Sequence, residues 1–94
     1  MLVLPAELTQ QQASACLRML VQGLKSEVEP ALLVDATALD RFDSSALAVL
    51  LELRRESLAI GKHFSVRGLP PRLGTLATLY GIAELLPWVS VAPV

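Results

Sequence analysis

The sequence predicts a single α/β domain over residues 1–94, with a mixed, mostly parallel sheet and about three main helices. Three observations carry this. Short apolar runs at Leu2-Val3-Leu4, Ala31-Leu32-Leu33-Val34 and Phe64-Ser65-Val66-Arg67 have the look of strands. Each is followed by a stretch with helical periodicity, so strand and helix alternate, which favours parallel strands joined by right-handed crossovers. Finally, 94 residues leave room for one hydrophobic core and no second.

The elements follow in order. Pro5 closes the first apolar run. Thr9-Gln10-Gln11-Gln12 has the form of a capping box, with Thr at the N-cap and Gln three residues on. Ala13, Cys16, Leu17, Leu20, Val21 and Leu24 then recur along one helical stripe, with Gln11, Gln12, Arg18, Gln22 and Lys25 elsewhere on the surface. The continuously apolar Ala31-Leu32-Leu33-Val34 reads as a strand buried on both faces and ended by Asp35. A second helix begins at Asp43-Ser44-Ser45 and runs to about Ile60. It is apolar nearly all round through Leu51, wetter through Glu52, Arg54, Arg55 and Glu56, and Gly61 supplies its left-handed stop. Pro70-Pro71 opens a third helix with a buried stripe of Leu73, Leu76, Ala77 and Tyr80, and Gly81 closes it. Trp88 through Val91 reads as a last short strand.

Composition excludes several function classes. A net charge of -1 offers no basic footprint for nucleic acid or for a polybasic membrane contact. Hydrophobic residues make up 53% and charged residues 18%, against about 45–50% and about 25% in average soluble domains. No run nears the roughly 18 apolar residues of a membrane span, and no basic stretch precedes an apolar one at the start as in a secretory signal. The apolar surplus therefore belongs to a dense core, to a subunit contact, or to both. Cys16, the single cysteine, stands on the apolar stripe and reads as a core residue.

A catalytic constellation is hard to assemble from these residues. His63, the single histidine, reads as a solvent-facing loop residue. No nucleophile elbow, phosphate-binding glycine loop or paired-histidine metal signature occurs. Asp35, Asp40 and Asp43 cluster near the end of the central strand, where sites in open α/β sheets collect. Three carboxylates suit a hard cation, but turn and cap roles account for them without one, so no metal or cofactor is expected. Asp43-Ser44-Ser45 is the most informative turn. A helix N-terminus there wants an oxygen cap, and its free amides and dipole tolerate an anion. A phosphate on Ser44 would add nearly two negative charges beside Asp43.

The stretch Leu32-Leu33-Val34-Asp35, a short loop, then Asp43-Ser44-Ser45-Ala46-Leu47 and a leucine-rich helix resembles the signature of STAS domains. The resemblance extends over nearly the whole chain. It implies a non-catalytic domain that docks onto a partner, and two branches compete. Leu76-Ala77-Thr78-Leu79-Tyr80-Gly81-Ile82 and Leu85-Leu86-Pro87 are similar to the end of the small (MlaB-like) STAS subunit of Mla-type phospholipid-transport ABC systems. That branch implies a cytoplasmic adaptor, peripheral to the inner membrane through the ATPase subunit it binds. The contact would then comprise Asp43, Ser44, Ser45, Leu47, Arg54 and Arg55. The alternative branch, the anti-sigma-factor antagonists, implies an anti-sigma kinase as partner and phosphorylation at Ser44. The chain departs from the family pattern in two ways. Ala46 stands where Gly is usual, adding a methyl that would narrow the partner's approach. The usual first strand is missing or very short, which would leave a sheet edge for a partner or second copy to cover.

Overall fold

The computed structural model describes residues 1–86 and the strand Trp88–Val89. Its elements are strands β1 (Leu2–Val3) and β2 (Glu7–Leu8), helix α1 (Gln10–Ser26), strands β3 (Ala31–Asp35) and β4 (Arg41–Phe42), helix α2 (Ser45–Ala59), strand β5 (His63–Arg67), helix α3 (Pro71–Leu79) and strand β6 (Trp88–Val89). A 3-10 turn, Ala83–Leu85, precedes β6. The main sheet has the order β1-β3-β5-β6 and every described pairing in it is parallel. A separate two-stranded parallel ribbon joins β2 to β4.

Strand order advances in one direction with each crossover. Right-handed connections therefore lay α1, α2 and α3 over the same face. Burial bears this out. Leu32 and Val34 of β3 and Phe64 and Val66 of β5 are buried and belong to the single core, together with Cys16, Leu20 and Leu24 of α1, Val49, Leu50 and Leu53 of α2, and Leu73 and Ala77 of α3. The other residues of each strand face away: Ala31, His63 and Arg67 are exposed, and Leu33, Asp35 and Ser65 are half-buried. The expectation that β3 is buried on both faces is thus corrected. Its run of apolar side chains feeds a core on one side and leaves Leu33, half-buried, on a face that none of the described elements covers.

Local expectations fare well with exceptions. The stripe on α1 is the buried one, with Ala13, Leu17 and Val21 packed at its margin. At its start Gln12 Oε1 accepts from both the Thr9 N–H at 2.8 Å and the Thr9 hydroxyl at 2.6 Å. His63 stands in β5 rather than in a loop, though it is exposed as expected. Tyr80 is corrected outright: α3 ends at Leu79, and Tyr80 caps it from outside the helix and is 59% exposed. Of the expected last strand, Trp88 and Val89 are described; Ser90 and Val91 lie outside the described residues.

Gly61 and Gly68 both take φ near +70°, the region that side chains avoid. A Cβ at Gly61 would meet open space, whereas one at Gly68 would run into the Thr37 hydroxyl and Cα. Gly68→Ala is therefore expected to lose well over the roughly 1–2 kcal/mol of a left-handed side chain alone, and Gly61→Ala no more than that. Urea unfolding of the two variants side by side measures the difference, and equal losses would contradict the close approach of Thr37.

Candidate functional site: the entry to the second helix

Pairing of β2 with β4 decides where the two long helices begin. Glu7 lies in register with Arg41 and Leu8 with Phe42, and the Asp40 and Arg41 N–H groups both donate to Ala6 O at 2.8 and 2.9 Å. Because the ribbon is parallel, both strands deliver the chain to the same end. Thr9 and Gln10 leave β2 there, and Asp43 and Ser44 leave β4 beside them. The N-termini of α1 and α2 are consequently neighbours.

Asp43 bridges the two starts. Its Oδ1 accepts from the Ser45 N–H at 2.8 Å and its Oδ2 from the Gln10 N–H at 3.1 Å. Both bonds favour the ionised carboxyl, the Ser45 bond more, and they hold its pKa below the ordinary aspartate range. The cap of α2 is therefore Asp43. Ser44 has helical backbone angles, and its side chain makes no capping bond. Its exposed hydroxyl stands outside the first turn, while its carbonyl accepts from Leu47 and Ala48. Two amides of the first turn are engaged as well: Ser45 N–H by the Asp43 carboxylate and Ala46 N–H by Asp43 O at 3.0 Å. Two of the anticipated free amides are thus taken, so an anion at this terminus would compete with the Asp43 carboxylate for the Ser45 N–H.

The remaining expected contact residues divide. Ser45 is half-buried at the first position of α2. Leu47 is corrected: only 2% exposed, it points into the core and cannot touch a partner. Ala46 is fully buried, so its extra methyl points inward and does not narrow any approach. Arg55 is exposed but held, its Nε 3.1–3.2 Å from the two Glu52 oxygens and its Nη2 also against Glu52 and Glu56. That pairing lowers the Glu52 pKa and raises that of Arg55. Arg54 is half-buried, on another side of the helix.

Two features escaped sequence reading. A groove of about 370 Å³ between α1 and α2, lined by Ala13, Ser14, Leu17, Ala48, Val49 and Glu52, begins one turn beyond Ser44. It continues past Val21 toward Glu56. On the other side of the turn, the Arg72 guanidinium of α3 sits 5.2 Å from the centre of the Phe42 ring. Asp35 and Asp43 turn their carboxylates to backbone N–H groups, those of Thr37 and of Ser45 and Gln10 respectively. Among the described residues no three His, Cys, Asp or Glu side chains are placed to hold a metal. His63 begins its strand at the opposite end of the sheet from Asp43. Burial raises the Cys16 thiol. No helix among the described residues is long and apolar enough to cross a membrane.

The family model described as "Mlab, STAS domain" matches residues 1–87. The chain belongs to the STAS domain family. A solved structure of an anti-sigma-factor antagonist (STAS) domain protein from Planctomyces limnophilus superposes on it with a TM-score of 0.78. That likeness covers 96% of this chain and 80% of the other at 17% identity, and it is a likeness of fold. No curated protein matches the sequence. In this STAS domain the Asp-Ser-Ser turn is an exposed helix entry with its aspartate committed to the scaffold and its first serine hydroxyl free of the cap.

Replacing Asp43 with Ala is expected to lower the melting temperature at neutral pH. A depressed folded-state pKa contributes stability above the unfolded carboxylate range and loses it as pH falls through the folded value. The gap between wild type and Asp43→Ala should accordingly close on acidification below the ordinary aspartate range. Thermal melts from neutral to acidic pH test this, and a gap constant with pH would exclude the carboxylate as the bridge.

Proposed function

We propose that this STAS domain is a non-catalytic adaptor that binds the ATPase subunit of an Mla-type phospholipid-transport ABC system and supports its assembly or activity. The observation that carries the reading is the Ser44 hydroxyl, exposed at the start of α2 and unused by the cap, with the α1/α2 groove one turn away. STAS domains act through protein–protein contacts, and a helix entry flanked by an apolar groove suits an amphipathic partner segment. The description of the matching family supports the transporter branch. Contact would run from Asp43, Ser44 and Ser45 along the face of α2 that carries Ala48 and Glu52, with Arg55 and its two glutamates at the rim and Arg54 beyond. The partner would hold the domain in the cytoplasm at the inner membrane.

The anti-sigma-factor antagonist reading shares this turn and has a specific observation in its favour, the exposed serine hydroxyl following an aspartate. Against it, a phosphate on Ser44 would stand beside the ionised Asp43, whose carboxylate already accepts from the Ser45 and Gln10 N–H groups.

Co-purification separates the two readings. Wild-type protein is expected to capture an ABC ATPase, and Ser44→Arg and Ala48→Arg are each expected to weaken that capture at least about tenfold, the scale of a lost interface anchor. Thr78→Arg, on exposed α3 surface, should leave it unchanged. Recovery of an anti-sigma kinase that transfers phosphate to Ser44 would replace the transporter reading with the antagonist one.

A further inference from the structure

All-parallel sheets are nearly always covered on both faces, and here the three helices lie on one. The uncovered face carries Val3, 53% exposed, with Leu33 and Ser65 half-buried beside it. Its charged side chains among the described residues are Asp35 and Arg67, which stand in register on the neighbouring strands β3 and β5. One is an anion and the other a cation, so the face is asymmetric in charge across the line between those two strands.

That asymmetry fits a second copy of the same face. A two-fold axis lying between the faces and running along the strands, midway between β3 and β5, sets each β3 opposite the partner copy's β5. One operator then brings Asp35 opposite the other copy's Arg67, twice, and Leu33 opposite Ser65, twice. This is the reciprocal pattern of an isologous contact. We infer that the uncovered sheet face is a homodimer interface, closed by reciprocal Asp35–Arg67 ion pairs beside Leu33, with Val3 at its margin. With strands about 4.8 Å apart and about 3.3 Å per residue, the face spans roughly 250–300 Å² per copy. Two such faces come to about 500–600 Å² together, short of the roughly 1,000 Å² of a stable specific interface, so the dimer is weak, reversible and grows with concentration. Its ion pairs make it weaker in high salt.

Sedimentation equilibrium over a wide concentration range tests the inference. Wild type is expected to rise from 10.1 kDa toward twice that mass. Arg67→Asp and Asp35→Arg should each weaken association about tenfold or more, as like charges meet across the axis. The double variant should recover most of it, because the two reversed charges again face opposites. Asp35 also accepts from the Thr37 N–H, so circular dichroism monitors folding, and Arg67→Asp with Leu33→Glu tests the face without touching that bond. A monomer at every concentration overturns the proposal, as does a folded double variant no better than the singles. If wild type stays monomeric while Leu33→Glu abolishes ATPase capture, the face belongs to a different protein and the homodimer is excluded. The helix-entry variants Ser44→Arg and Ala48→Arg are expected to dimerise like wild type, which separates failure here from failure of the adaptor reading.

Discussion

A strand can be followed by a parallel neighbour only through a crossover, and crossovers turn to the right. In this chain the constraint acts three times in the same direction. It gathers the helices onto one face, concentrates the buried leucines in a single core and leaves the second face of the sheet without a cover among the described residues. It also sends both long helices away from the same edge, because each begins where a strand has just ended. The position of the candidate site and the bareness of the opposite face are two results of one handedness.

At that edge the chemistry is a division of labour between adjacent residues. Asp43 spends its carboxylate on two backbone N–H groups from different helices, and the dipoles of both helix ends favour the negative charge there. Ser44, relieved of capping, presents its hydroxyl outward. The groove beside it sets apolar Ala13, Leu17, Ala48 and Val49 together with Ser14 and Glu52. Exposed ion pairs such as Arg55 with Glu52 add little stability by themselves, so their part is in shaping the rim.

Much of the fold was legible in the sequence, for identifiable reasons. Helices α1 and α2 and strands β3 and β5 each carry a pattern long enough to have a period, and Gly61 and Gly81 mark turns that require positive φ. Strands β2 and β4 did not show, since two residues have no period and their partner is elsewhere in the chain. The bridge from Asp43 to Gln10 was invisible for the same reason: it depends on that ribbon. The turn at Asp43-Ser44-Ser45 was found from cap chemistry and family resemblance, but the choice between its oxygens was not, because either residue can cap a helix. Leu47 shows the limit of carrying roles by resemblance. Its place in an apolar half-helix already argued for burial, and the core is where it lies.

The spacing of the strand register has a kinetic consequence. Leu2 pairs with Val34 and Leu32 with Phe64, each 32 residues on, and Val66 with Trp88, 22 residues on, so each ladder joins residues a whole crossover apart. No sheet contact can form until a loop of that size has closed, and the loop entropy falls due before any burial rewards it. During synthesis β1 must wait for β3 to emerge, and β3 for β5. The helices, whose contacts are local, can form in the interval, with α1 holding its leucine stripe exposed until a sheet exists to receive it.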